Sequence, residues 1–215
     1  MVVGIVDPHH YNYAFRGNYM MLRSLSTFAI LLIMITSLVI LLSNNWRLIL
    51  FSFSVQFLAV FILISLVWPI GLAAIKLVIG FLAVGVLGTT QVSREIFPIT
   101  LETNFSHRMF KAISAILIWI FVYYFSNQVM GLINTSQLLI RGSLVLLSMG
   151  ILQIGISTHP ARVIIGLFTF LSGFEILYAS MESSVLVAGL LALVNLGLAI
   201  VGSYILSKKF EVQPE

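Results

Sequence analysis

The stretch that decides the fold spans residues 25–43 and reads LSTFAILLIMITSLVILLS. It holds no charged side chain, and its length matches the roughly 20 apolar residues that a helix needs to cross the hydrocarbon core of a bilayer. Residues 1–24 before it are mixed and polar, whereas a cleavable signal peptide would place its apolar stretch close to the start. We therefore expect a retained transmembrane helix that follows a short extramembrane segment, residues 1–24.

The composition of the whole chain agrees with a membrane environment. Of 215 residues, 60% are hydrophobic and only 8% are charged, and the mean hydropathy is +1.11. A soluble domain has typically about 25% charged residues, so this chain could not cover its apolar surface in water. The absence of cysteine excludes a disulfide framework, a thiolate metal site and a cysteine nucleophile. The basic residues are scattered singly, so the net charge of +4 does not indicate a nucleic-acid partner.

Seven apolar runs predict an all-α integral membrane bundle of about seven transmembrane helices. A backbone inside lipid has to satisfy its own hydrogen bonds, so the runs are expected to be helices and not strands. Pro69 and Gly71 separate the second run from the third and are typical of a tight turn. The seven runs are 25–43, 47–68, 70–88, 112–130, 139–157, 162–180 and 184–206.

The runs divide the chain into parts. Residues 25–130 form a four-helix part, residues 139–206 form a three-helix part, and residues 207–215 form a tail. The one sizeable loop, residues 89–111, mixes charged with large apolar side chains. That mixture suits a segment lying on the membrane surface, and a solvated connector fits it equally well.

The positions of the basic residues predict the orientation of the bundle. Cytoplasmic ends of transmembrane helices carry an excess of lysine and arginine, so the richer side is expected to face the cytoplasm. The C-terminus then lies inside and the N-terminus outside. One side receives Arg47, Arg94, Arg108, Lys111, Arg162, Lys208 and Lys209, and the other receives Arg16, Arg23 and Arg141.

Two charged residues fall inside apolar runs, Lys76 in the third and Glu175 in the sixth. Charged groups in a bilayer are costly and often functional, so both are candidates for a proton relay. At 1.5 Å per residue, both lie about 7–9 Å below the same membrane surface and could pair if their helices are neighbours. Alternatively, the lysine snorkels to the headgroups, and the glutamate is protonated and hydrogen-bonded to a carbonyl.

Uncharged polar residues also lie deep in the runs. Such groups more often join helices together than relay protons, so we regard them as supporting residues. They are Gln56, Gln153, Thr169, Ser172 and Asn195.

Signatures of catalysis are lacking. The sequence has no glycine-rich phosphate loop, no paired catalytic carboxylates and no nucleophile motif. His9 and His10 adjoin each other, but without further ligands they are a weak metal site. We therefore predict no catalytic residue, no metal site and no cofactor in this chain, which would not be an enzyme by itself.

The last part of the chain resembles a known family. It combines the basic turn Thr158-His159-Pro160-Ala161-Arg162 with a helix that contains Gly173-Phe174-Glu175-Ile176-Leu177 and a last helix centred on Asn195. This arrangement is similar to the K subunit of respiratory NADH dehydrogenases and the C subunit of multisubunit Na⁺/H⁺ antiporters. Over most of its length the chain resembles component E of membrane-bound hydrogenases, which also has a lysine in an early helix, in a context like Ile75-Lys76-Leu77-Val78.

The resemblance implies a non-catalytic membrane subunit of an ion-translocating complex in a prokaryotic plasma membrane, with other membrane subunits as partners. Glu175 would be its protonatable site, with Lys76 beside it. The respiratory subunit carries a second glutamate near the position of Asn195, and an asparagine cannot bind and release a proton there. A purely structural subunit and a stand-alone small transporter are the alternatives.

Overall fold

The computed structural model describes residues 8–92, 105–131, 135–182 and 184–208, with side chains from Arg23 onward and none at 90–92. The described residues form seven α-helices and no strand, which confirms the all-α class. The helices are α1 (Pro8–Leu42), α2 (Trp46–Ser65), α3 (Ile70–Val92), α4 (Phe105–Met130), α5 (Gln137–Ile156), α6 (Pro160–Met181) and α7 (Val185–Lys208).

All seven described helices contain a segment long and apolar enough to cross a bilayer. The shortest of these segments have 20 residues, about 30 Å of helix, which matches the thickness of the hydrocarbon core. The chain is therefore a multi-pass integral membrane protein.

Two boundaries differ from the predicted ones. Helix α1 begins at Pro8 and continues unbroken into its apolar segment Arg23–Leu42. Helix α4 begins at Phe105, so much of the predicted loop 89–111 is helical, and residues 93–104 lie outside the described residues. The apolar runs did not reveal these extensions because the helices continue beyond the lipid, where a helix needs no apolar side chains.

Polar side chains cap the first turns of two helices, α2 and α6. The Asn45 side chain accepts a hydrogen bond from the Arg47 amide at 3.1 Å and caps α2. The His159 ring nitrogen Nδ1 accepts one from the Ala161 amide at 3.3 Å and caps α6, whose first residue is Pro160. These caps satisfy amide groups that have no partner within the first turn of a helix.

Consecutive helices run in opposite directions, so the bundle has two ends that hydrogen bonds between distant turns define. At the Trp68 end, Trp68 Nε1 donates to the Glu182 carbonyl at 3.1 Å and joins the α2–α3 turn to the α6–α7 turn. At the Arg162 end, the guanidinium of Arg162 donates to the carbonyls of Leu41 and Ser43. The bundle thus has a Trp68 end and an Arg162 end.

The described basic residues divide between the two ends as the sequence predicts. Apart from Lys76 inside α3, five of those whose side chains are described lie toward the Arg162 end and two toward the Trp68 end, which leaves the cytoplasmic position of the Arg162 end a prediction. The first group is Arg47, Arg108, Lys111, Arg162 and Lys208, and the second is Arg23 and Arg141.

The helices are not equally enclosed. Helices α5 and α6 make the most extensive contact, while α7 packs mainly on α3 and also on α6. The contact of α5 with α6 depends on glycine: a Cβ atom at Gly150 would lie 2.6 Å from the Phe170 amide nitrogen, and one at Gly173 would lie 2.6 Å from that of Leu147. Small residues allow such close approach of helices in membranes.

We expect Gly150→Ala to destabilise the bundle by about 1–3 kcal/mol, because the added methyl group would overlap backbone that cannot turn away. Gly155→Ala on the same helix is the matched control, since a Cβ atom there meets no atom within 4 Å. Thermal unfolding in detergent measures both. Equal melting temperatures for the two variants would contradict the close α5–α6 contact.

The Arg162 side chain closes the other end of the core. Its guanidinium bonds the last carbonyls of α1, at Leu41 and Ser43, and the Asn44 side chain at 3.1 Å. Carbonyls at a helix C-terminus lack partners within the helix and attract cations. Arg162 of α6 therefore ties α6 to the turn between α1 and α2.

Replacing Arg162 with glutamine should lower the free energy of unfolding by about 1–3 kcal/mol, because charged hydrogen bonds to the α1 carbonyls are lost. Arg108→Gln serves as the control, since Arg108 lies exposed in the first turns of α4. A thermal shift that is the same in both variants would show that charge alone, and not the clamp, is responsible.

Candidate functional site: a buried ion pair between three helices

The site begins with a lysine that the sequence places inside the bilayer. Lys76 lies six residues after Ile70, the start of α3, which puts its Cα about 9 Å below the Trp68 end. Its residue is only 8% exposed, so the side chain does not snorkel to the surface. A buried ammonium group requires a counter-charge or hydrogen-bond acceptors within the protein.

The counter-charge comes from α6. The Lys76 ammonium forms a salt bridge with Oε2 of Glu175, whose residue is 4% exposed. Glu175 lies six residues before Met181, the end of α6, and therefore at nearly the same depth, about 9 Å from the Trp68 end. The equal depth predicted from the sequence is what allows the two charges to meet, and the structure brings them together.

Asn195 of α7 completes the site. Its Nδ2 group donates one hydrogen bond to Glu175 Oε1 and another, at 2.8 Å, to the Leu191 carbonyl. Both partners are acceptors, which fixes the amide orientation with its NH₂ group toward the carboxylate. Lys76, Glu175 and Asn195, called the Lys76–Glu175–Asn195 site below, thus join α3, α6 and α7.

An aromatic cluster lies on the Arg162 side of the ion pair. The Lys76 ammonium is 5.4 Å from the ring centroid of Phe57, a distance at which cations are attracted to aromatic faces. The Phe57 ring packs in turn against Phe53 at 4.7 Å and Phe168 at 6.4 Å. All three rings are buried and lie nearer the Arg162 end than the ion pair does.

Gly80 explains how Phe57 reaches this position. A Cβ atom at residue 80 would lie 2.5 Å from the Phe57 ring, so only glycine leaves room for the ring one helical turn below Lys76. This contact could not be predicted from the sequence, because Phe57 and Gly80 are ordinary residues of two apolar runs.

A cavity of about 120 Å³ lies beside the ion pair and extends from the Trp68 end to Ile79, one turn deeper than Lys76. Lys76 and Glu175 contribute to its wall, and Ile75 and Val185, both largely exposed, also line it. Its other lining residues are mostly apolar and include Ile64, Trp68, Ile79, Ala188 and Ala192. The ion pair therefore has open space on one side and packed aromatic rings on the other.

The remaining predicted polar residues are also buried, and Ser172 lies one helical turn from Glu175 on α6. Thr169 Oγ1 donates to the Ile165 carbonyl of its own helix at 2.9 Å, and Ser172 is buried on the same helix. The side-chain amides of Gln56 and Gln153 are buried and make no hydrogen bond within the described part of the chain. None of these four residues is among those that bond Lys76 or Glu175.

The arrangement can hold a proton but offers no group for covalent catalysis. A carboxylate between an ammonium and an amide NH₂ can bind a proton and release it again, whereas Asn195 serves only as a fixed donor. Within the described residues, no three histidine, aspartate or glutamate side chains are grouped as a metal site would need. The side chains of His9 and His10 lie outside the described residues.

Comparisons with protein-family models, with curated proteins and with solved structures gave no match to this chain.

The energetics of the ion pair can be measured by a double-mutant cycle. We expect Lys76→Met and Glu175→Leu each to destabilise the bundle by about 3–5 kcal/mol, because each leaves a buried charge without its partner. The double variant should recover most of that loss. Additive losses in thermal unfolding would mean that the two charges do not depend on each other.

Proposed function

We propose that this chain is a non-catalytic membrane subunit of a multisubunit ion-translocating complex, of the hydrogenase, NADH dehydrogenase or cation/proton antiporter type. The observation that carries the proposal is the buried Lys76–Glu175 ion pair, with a cavity on one side and a closed aromatic cluster on the other. Glu175 is its proton-relay carboxylate.

A buried ion pair contributes little net stability to a fold. Desolvation of two charges offsets most of their attraction, so apolar residues of similar volume often serve a fold as well or better. In a membrane, ionisable residues that face the bundle interior commonly mark proton or ion pathways. The Lys76–Glu175 pair has this placement, which supports a role beyond packing.

The relay would use the three residues of the site differently. Glu175 takes up a proton while the Lys76 ammonium is turned away from it, and the protonated acid then no longer attracts the ammonium. Release of the proton restores the pair. Asn195 holds the carboxylate in place through its bond to Oε1, so the charge changes without moving the glutamate.

Partner subunits are supported by the two least enclosed helices. Helices α4 and α7 present long apolar faces, with Leu186 78%, Tyr124 70% and Leu193 68% exposed. Lipid accommodates such faces, and so do the helices of other membrane subunits. The resemblance to hydrogenase and antiporter subunits, which work in large membrane assemblies, favours partners on at least one of them.

A structural or assembly subunit is the principal alternative. The same site bonds α3 to α6 and α6 to α7, so it could hold the bundle together without moving a proton. A stand-alone small transporter is the third candidate. Purification in mild detergent separates it from a subunit, because a subunit should bring large partners with it and a transporter should run alone or as a homo-oligomer.

The relay predicts that Glu175→Gln abolishes or strongly reduces coupled ion transport while the complex still assembles. Glutamine keeps the size of the side chain and can hydrogen bond Asn195, but it cannot bind and release a proton at neutral pH. Transport is measured in vesicles with an ion-sensitive dye, and assembly by native gel electrophoresis of the same membranes.

One control is Gln153→Glu, which makes the reverse substitution at another buried position. The simpler control is Gln56→Leu, which alters a buried polar side chain outside the site. Gln56→Leu should leave transport intact. Normal transport by an assembled Glu175→Gln complex would refute the relay. Low yield of that complex together with normal transport per complex would favour the structural subunit.

A further inference from the structure

We propose that the cavity beside Lys76 is a water-filled vestibule, open at the Trp68 end, that supplies the ion pair with water and protons from that side alone. The inference deepens the proposed function, and its consequence for transport rests on that function. The hydration of the cavity is a separate property that can be measured without any transport assay.

The ammonium group of Lys76 has hydrogen-bond donors without acceptors. Lys76 Nζ carries three donors, and within the described residues its one charged partner is Glu175 Oε2. Buried donors without acceptors are rare, and ordered water commonly supplies the missing partners. Lys76 lines the cavity while its Nζ is buried, so cavity water reaches these donors once the side chain turns toward the cavity.

The cavity is large enough to hold water. The cavity measures about 120 Å³, and a water molecule takes up about 30 Å³ in the liquid, so a short chain of waters fits. An entirely apolar cavity of this size would stay dry. Here two of the lining residues, Lys76 and Glu175, carry charged groups, although the atoms Nζ and Oε2 themselves are buried.

The cavity is reached from the Trp68 end of the bundle. The cavity is lined by the turn residue Trp68 and by Val185 at the start of α7, and both lie at the Trp68 end. On the opposite side, the rings of Phe53, Phe57 and Phe168 are packed together and fully buried. Water can therefore approach the ion pair from the Trp68 end and meets apolar rings beyond it.

The Lys76 side chain is the gate in this arrangement. It lines the cavity, while its Nζ and the Glu175 Oε2 it contacts are enclosed by protein atoms. A proton from the vestibule thus reaches the carboxylate when the ammonium swings outward into the cavity. The empty space beside the lysine gives that movement room without any rearrangement of the helices.

Cysteine accessibility tests the vestibule directly, because the chain has no cysteine of its own. Ala192 lines the cavity, whereas its neighbour Leu193 does not line it and is 68% exposed on the outer face of α7. Ala192→Cys and Leu193→Cys thus place one thiol at nearly the same depth on two different faces. The reagent is a charged, membrane-impermeant methanethiosulfonate, and the mass of this chain reports the reaction.

We expect Ala192→Cys to react at least about ten times faster than Leu193→Cys, because a thiol ionises in water and stays protonated and unreactive in lipid. In sealed vesicles, reaction should occur when the reagent is added on the Trp68 side and not on the other. Ile79→Cys and Val78→Cys on α3 repeat the comparison, since Ile79 lines the cavity and Val78 does not.

Each contrary result overturns a stated part of the inference. Slow reaction at both Ala192→Cys and Leu193→Cys means that the cavity is dry or filled by lipid. Fast reaction at both means that the outer face of α7 is wet, and reaction from both sides removes the one-sided access. A reactive Ala192→Cys combined with normal transport by Glu175→Gln would keep the vestibule and refute the proton relay.

Discussion

A charge inside the hydrocarbon layer requires a partner within the protein. In this bundle that requirement links the N-terminal half of the chain to the C-terminal half. Lys76 belongs to the third helix and Glu175 to the sixth, and their salt bridge holds α3 against the C-terminal helices. Asn195 then adds α7 to the same point. The surrounding apolar contacts are not directional, so this site is what sets which polar faces meet.

The rest of the packing can be understood as support for that site. Glycines 150 and 173 let α5 approach α6 closely, which fixes the helix that carries Glu175. Arg162 anchors the other end of the same helix to the α1–α2 turn. Gly80 admits the Phe57 ring beneath the ammonium and thereby closes the space on the Arg162 side. Helix α6 is thus held along its whole length, while α4 and α7 remain largely open to lipid or partners.

The sequence predicted the seven spans, because lipid imposes one simple rule on every residue of a crossing helix. It also predicted the depth of Lys76 and Glu175, since depth follows from residue count alone. It could not predict that Lys76 of α3 reaches Glu175 of α6, that Asn195 bonds Glu175, or that Phe57 lies on Gly80. Those contacts depend on how the helices rotate about their axes, and uniformly apolar helices carry little information about that rotation.

The asymmetry around the ion pair favours the proposed relay over a purely structural bond. A pair that serves only to join helices is most stable when it is enclosed on all sides, because free space weakens packing and admits competing water. Here Lys76 has a packed ring on one side and a cavity of about 120 Å³ on the other. That space lowers the stability of the bundle, and in the proposed relay it is the space into which the ammonium moves. A site built in this way suits a charge that has to leave its partner and return.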